Sequence, residues 1–273
     1  MIKLVRCVRL FLATGMLFSM FSSATQGSTP VQFVLESGNI TLGEPVVARM
    51  TINNDSSEDL TVDLGDDRVG NIMATVVAPD GTLRNRPQAS LEGIKFAGTV
   101  KVAPRATYVT SIVLSDWFTF NQIGTYRVAL GIRLGEAQSK SLVSESFEIV
   151  VSPRDEVVLR SRCAALVKQG LDESNSAEKS ITAARELADI QDPVAVPFLV
   201  EMLEHSRYSQ MAILSLARLN SMESADALIK AAKSQNKEIS SLAHSALVGL
   251  SRTAEEPVRS TILQALSDDK PQQ

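Results

Sequence analysis

Hydrophobic positions recur every second residue from about residue 31 to residue 151, and then the period changes. Val31, Phe33 and Leu35 share one face of VQFVLE. Val46, Ala48, Met50 and Ile52 alternate with Val47, Arg49 and Thr51, and Leu60, Val62 and Leu64 with Thr61 and Asp63. Ile94, Phe96, Val100 and Val102 share another face, as do Tyr126, Val128, Leu130, Ile132 and Leu134. A period of two predicts strands buried on one side. Gly43-Glu44-Pro45, Asn53-Asn54-Asp55, Pro79-Asp80-Gly81 and Gly124 supply the turns between them. About eight short strands in this span predict two packed antiparallel sheets.

Beyond Ser152-Pro153 the spacing becomes helical. Leu159, Cys163 and Leu166 step by four and three, and Gly170 is placed to end that helix. A self-similar region follows, after the loop DESNS. Shifting AARELADIQDPVAVPFLVEML (183–203) by 29 residues onto ILSLARLNSMESADALIKAA (213–232) matches Ile190 with Leu219, Leu199 with Leu228 and Val200 with Ile229. A third unit, SALVGLSRTAEEPVRSTILQAL (245–266), matches Leu250 with Leu219 at a shift of 31. Each unit reads as helix, short turn, helix. Asp192 and Pro193 suit an N-cap and the first helical residue, and Asn175 with Glu178 suits a capping box. Second helices are expected to begin near Pro193, Ser224 and Glu255.

Two resemblances follow from these residues. LGEPVVARMTINN, APDG and FNQIGTYRVALGIRL resemble an immunoglobulin-like sandwich, with Gly124-Thr125-Tyr126 similar to the start of a tyrosine corner. No cysteine pair joins the sheets, and Trp117 lies late, unlike antibody-type domains. The GEPV…N opening is shared with bacterial sandwiches, including one proteinase-inhibitor family. The region 176–267 resembles HEAT-like repeats of the short bacterial type, carried by AARELADIQDPVAVPFLVEML. That resemblance implies stacked helix pairs, with 154–170 as a leading helix over one open end. The expected fold is an immunoglobulin-like antiparallel β-sandwich over 28–152, then a short α-helical solenoid of HEAT-like helix pairs over 154–267, with a disordered tail at 268–273.

The first 24 residues read as an address. Lys3, Arg6 and Arg9 precede the apolar run Leu10 to Phe21, and Ser22-Ser23-Ala24 offers small residues for cleavage. This is the pattern of a secretory signal peptide, with an uncleaved anchor as the alternative. Its removal takes the net charge from −4 to −7, because the segment holds three basic residues and no acidic one. Residues 28–153 carry 10 Lys/Arg against 14 Asp/Glu, and residues 154–273 carry 14 against 17. Neither part has the basic stripe that nucleic-acid binding needs. Cys7 leaves with the signal, so Cys163 is the one mature cysteine and cannot close an internal disulfide. It reads as a small buried hydrophobe rather than a reactive thiol.

Chemistry-bearing residues are sparse. His205 and His244 are the only histidines, and no Gly-x-Ser-x-Gly elbow accompanies them. Cys163, His205 and His244 share no helical turn, which argues against zinc. Asp55, Glu58, Asp59, Asp63, Asp66 and Asp67 crowd one edge, but without a calcium-ligand spacing, so a solvated loop is expected. Phosphate-binding Gly-rich motifs are missing from the sequence. Trp117, Phe118 and Phe120 could form an exposed platform for a sugar or peptide, or plug the end of the sheets, and the plug is the favoured reading. Asn39 and Asn54 head formal glycosylation sequons, relevant only in a eukaryotic host.

These readings assign no catalytic, cofactor-binding or metal-ligating residue and no cofactor. They describe a non-enzymatic exported protein, periplasmic or secreted, that binds a protein partner through its helical stack. Nucleic acid is not expected as a partner, nor an integral membrane segment once the signal is removed, and self-association stays open. The alternatives are an inhibitor or ligand-binding role for the sandwich with the stack as spacer, and an accessory subunit of an envelope hydrolase.

Overall fold

The computed structural model describes residues 31–65, 70–87, 98–134 and 141–268. The proposed signal, Ile94, Phe96, Asp66, Asp67 and the tail from 269 lie outside the described residues. A β-rich region comes first and a helical region follows.

Ten strands are described: β1 (Val31–Leu35), β2 (Asn39–Thr41), β3 (Val47–Asn53), β4 (Leu60–Asp63), β5 (Ile72–Val77), β6 (Leu83–Asn85), β7 (Thr99–Val102), β8 (Thr107–Val113), β9 (Gly124–Leu134) and β10 (Ser141–Ser152). They pair as β1-β3-β8, β2-β10-β9-β5-β6 and β4-β7. Period two holds where it was read: Phe33, Met50, Ile52, Val62, Val100, Tyr126, Val128 and Ile132 are buried and belong to one apolar cluster drawn from these sheets. Two expectations need correction. The short β2 and β6 raise the strand count, because three residues leave little periodic signal. One ladder is parallel, not antiparallel, since β2 runs alongside the end of β10, pairing Ile40 with Val151. Tyr126 takes the corner position, its hydroxyl accepting a hydrogen bond from Gln122 N at 2.9 Å.

Among the described residues seven α-helices follow: α1 (Glu156–Leu171), α2 (Ala177–Ala188), α3 (Val196–Leu203), α4 (Ser209–Leu219), α5 (Met222–Ala232), α6 (Lys237–Thr253) and α7 (Val258–Asp268). Leu159, Cys163, Leu187, Leu199, Leu216, Leu228, Leu247 and Ile262 form a second, separate buried cluster. Caps fix most helix starts: Asp155 accepts from Val157 N and Val158 N, and Ser221 and Ser224 cap reciprocally. Asp192 caps a 3-10 turn, Pro193–Ala195, that feeds α3.

Local readings shift in four places. Gly170 does not end α1; it lies buried one residue inside, where its carbonyl accepts the Tyr208 hydroxyl at 3.1 Å. Ser176, not Asn175, caps α2, and the Asn175 amide donates instead to Gln169 O. Leu250 corresponds by burial to Leu216 rather than to the half-buried Leu219, because α6 is longer than α4 and displaces the register. The second helix of the middle unit starts at Met222, two residues early, and that of the last at Val258, three residues late.

Replacing Tyr126 by Phe removes the acceptor for Gln122 N and is expected to lower the stability of the β-rich region by about 1 kcal/mol. Urea unfolding followed by circular dichroism measures this; an unchanged midpoint would show that the corner hydroxyl contributes nothing.

Candidate functional site

The β-rich and helical regions meet along a seam, and the polar chemistry of the molecule gathers there. Only Pro153, Arg154 and Asp155 separate β10 from α1. Thr41, at the end of β2, ties this linker down: its hydroxyl donates to Pro153 O at 2.6 Å and accepts from Asp155 N at 2.8 Å. The next turn presents the Gly43 carbonyl to Gln191 N at 3.2 Å. Gly43 has φ +99°, and a Cβ there would stand 3.3 Å from the Asp192 Cβ, so backbone conformation and close approach both call for glycine. Arg154 spans the seam to Asp192 through two nitrogens.

On one side of this joint the outer face of β1-β3-β8 confronts α1 and α2 across a cleft of about 450 Å³. Four charged residues run across it in alternation. Arg49 lies 3.6 Å from Glu36, Glu36 lies 3.7 Å from Arg162, and Arg162 bonds Glu186 at 2.6 Å. Glu186 is buried, and loss of water pushes its carboxyl up to about 7 against the pull of Arg162. Thr110, Ser111, Lys179 and Thr182 complete the polar walls. The cleft pairs opposite charges and sets no base beside a nucleophile among the described residues. Its chemistry is that of fixing two surfaces at one angle, with hydroxyls left to meet a polar ligand.

On the other side the α2–α3 turn meets the turn after β8. Asp189 is buried, and its Oδ1 accepts from Arg218 Nη1 at 3.2 Å. Arg218 also donates to Ala188 O, as does the Ser215 hydroxyl, so α4 is fastened to the end of α2. No described donor reaches Asp189 Oδ2. Burial first, and Asp116 next, push the Asp189 carboxyl up to about 8. A pocket of about 170 Å³ adjoins it, lined by Gly43, Glu44, Ser115, Phe120, Asn121 and Gln191 among others.

The residues singled out from sequence lie elsewhere. Cys163 is buried against Leu159 and Leu166, and burial pushes its thiol up to about 12, which fits the structural reading. His205 follows α3 and His244 lies on α6; both are exposed and are not brought together. Asp55, Glu58, Asp59 and Asp63 are exposed; Asp59 stands 3.9 Å from Lys101, and Asp63 accepts from Gly65 N. Asn54 is buried and its amide donates to the Glu58, Val102 and Ala103 carbonyls, a structural task incompatible with carrying a glycan. Phe118 and Phe120 are buried, the latter edge-on to Tyr126 at 5.1 Å, while Trp117 is half-buried beneath the Arg86 guanidinium at 4.0 Å. The aromatic group is therefore mostly a plug.

The seam residues were missed. One signal was present: Glu186 and Asp189 interrupt the apolar positions of AARELADI, as Arg162 interrupts those of α1. A charge lodged in a buried stripe needs a partner from another element.

Residues 164–248 match the family model of HEAT repeats. No curated protein matches the chain. Among solved structures the chain is similar to the sporulation control protein Spo0M of Bacillus subtilis, with 11% identity and a TM-score of 0.27 over 50% of this chain and 54% of that one. It is similar also to a beta-glucosidase from Listeria innocua in complex with laminaribiose, with 14% identity and a TM-score of 0.26 over 45% of this chain and 16% of that one. A protein from Archaeoglobus fulgidus gives 13% identity and a TM-score of 0.21, over 45% of this chain and 95% of that one. The chain thus spans about half the length of the first of these and a sixth of the second.

A carboxyl raised in the fold contributes stability that is full below its unfolded value, about 4.3 for Glu, and is lost as pH rises through the folded value. Wild-type protein should therefore lose, between about pH 4.3 and about pH 7, a contribution from Glu186 that E186Q lacks. Melting temperatures of both forms from pH 4 to pH 8 check this. Parallel curves would place Glu186 outside the titration.

Proposed function

We propose that this chain is a non-enzymatic exported protein that holds a protein partner on its helical stack. The signal-like segment over 1–24 supports export to the periplasm or beyond. We further propose that residues 28–152 form an immunoglobulin-like sandwich and residues 154–267 a HEAT-like solenoid. The shared core of the β1-β3-β8 and β10-β9-β5 strands and the Tyr126 corner favour the first. The HEAT match favours the second.

One observation carries the docking reading. Two of the first helices leave a large apolar side chain in water: Ile181 on α2 is 40% exposed and Leu214 on α4 is 55% exposed. By burial register Leu214 occupies the repeat position of Arg185 and Val248, and Ile181 lies one turn back in the row that holds Gln210 and His244. The two apolar residues thus stand one turn apart in register on consecutive first helices, with cationic and polar residues at the equivalent positions. Solenoids present such ridges as extended contact surfaces, and central apolar anchors with a polar rim are the anatomy of a protein interface. The sandwich, in this reading, fixes the direction in which the ridge points.

A photo-crosslinking residue placed at Leu214 or Ile181 of the full chain, expressed in its own envelope, should give a discrete protein adduct. The same probe at Leu83 or Ile123, exposed on the β-rich region, should give none. Adducts confined to Leu83 or Ile123 would transfer the binding role to the sandwich.

A further inference from the structure

The sheet β1-β3-β8 ends on β8, and among the described residues β8 pairs on one side only, with β3. The bonds at the two ends of that ladder fix which groups lie on the open side. Leu114 N donates to Val46 O at 2.7 Å, and Asn54 N donates to Ala106 O at 3.0 Å. The register between them is unbroken, so Ala106, Tyr108, Thr110, Ile112 and Leu114 turn their backbone groups toward β3. Thr107, Val109 and Ser111 therefore turn their N–H and C=O groups outward, and no backbone bond to another described element engages them. Thr107 and Val109 are exposed and Ser111 is half-buried, so this edge stands open.

Sheet edges are pairing templates, and folded proteins blunt them with short strands, charges, prolines or bulges. β2 and β6, the end strands of the five-stranded sheet, have three residues each. β8 has seven, TYVTSIV, with no charge, no proline and no break in register. Such an edge offers donors and acceptors at the spacing of a β-strand, and another extended backbone is the group that matches them one for one.

The edge also lies in a cleft. Val109, Thr110 and Ser111 all line the space of about 450 Å³ between the sheet and helices α1 and α2. Successive strand side chains point to opposite faces, so a cavity that touches all three runs along the edge rather than over one face. The charges of its far wall are already matched: Arg162 bonds Glu186 and stands 3.7 Å from Glu36, which reaches Arg49. Such a wall receives neutral hydroxyl or amide side chains better than a further charge, which would compete with pairs already made. The inner side of β8 makes the opposite demand. Ile112 is buried in the core of the sheets and Tyr108 packs against that core, so a chain beside them meets apolar surface. Helix α2 packs close to β8, which leaves less room for the edge of a second sheet than for a single chain.

We propose that the open edge of β8 binds an extended segment of another protein as an added antiparallel strand, its side chains alternating between apolar and neutral polar. Antiparallel pairing continues the sense of the β1-β3-β8 ladders. Guest residues opposite Thr107, Val109 and Ser111 share their face, and so put polar side chains toward the helices and their own N–H groups on β8. The intervening residues put apolar side chains beside Tyr108 and Ile112 and turn their N–H groups away. Leu214 of α4 does not line this cleft, so occupancy here is independent of the docking ridge.

The probe is a blocked, fluorescein-labelled peptide of alternating threonine and valine, added to the full chain and followed by fluorescence anisotropy. Methylating three threonine nitrogens removes donors that face β8 and should weaken binding by at least about tenfold, since three backbone bonds are lost. Methylating three valine nitrogens leaves those donors in place and should change the affinity by less than about twofold. Val109→Pro removes one outward N–H and sets a ring on the edge without touching a bond to β3. The variant should keep its circular dichroism spectrum and lose affinity for the peptide by about tenfold. If it does not fold, the two methylated peptides decide the matter on the wild-type chain. No binding of the unmethylated peptide at about millimolar concentration overturns the proposal. So does any other ranking of the two methylated forms. A wild-type dimer in sedimentation that V109P abolishes also overturns it, by giving the edge to a second copy of this chain.

Discussion

Three residues join the last strand to the first helix, and polar bonds from both regions hold them. The Thr41 hydroxyl closes on both sides of Arg154, and the arginine reaches Asp192. A flexible tether of that composition would let two domains tumble. Here the strand pair β2–β10 runs directly into the joint, and the joint runs into the α2–α3 turn. The angle between the β-rich and helical regions is therefore set by backbone and side-chain bonding, more than by apolar packing. The two buried clusters stay separate, each complete on its own side. The interface between them is correspondingly polar, as contacts between domains of one chain generally are.

That division of labour explains what could be read from residues alone. Period-two burial at Met50, Val128 and Ile132 and helical burial at Leu159, Leu187 and Leu228 were legible because each region buries its apolar face within itself. The repeat was legible for the same reason, since Leu199 and Leu228 meet the same need one unit apart. The seam was not. Arg162, Glu186 and Asp189 acquire their partners from elements 24 or more residues away, and no local period records such a pairing. Small errors at element ends share a cause: Gly170 and Asn175 have the right chemistry for a stop and a cap, but tertiary demand gave those tasks to neighbours.

Placing charge at the joint has a cost that the structure meets unevenly. Burial pushes the Asp192 carboxyl upward, but bonds from Arg154 and Val194 N together outweigh it and keep the group below the ordinary range. Glu186 has a single close cation and Asp189 an additional acidic neighbour, and both carboxyls move upward. Burying ionisable groups weakens a fold unless each is matched, yet it specifies one arrangement over others. Along this one turn the match is best at Asp192, which faces the linker, and poorest at Asp189.

Arg218 carries a consequence for the length of the stack. It belongs to one helical unit and grips the Ala188 carbonyl and the Asp189 carboxylate of the unit before it. A copy of residues 209–236 spliced in behind the original would bring an arginine of its own to the new junction. The carbonyl at each helix end is always there to receive it, whatever side chain follows. Growth of this array by tandem duplication would thus need no new fastening chemistry, only a receptive neighbour.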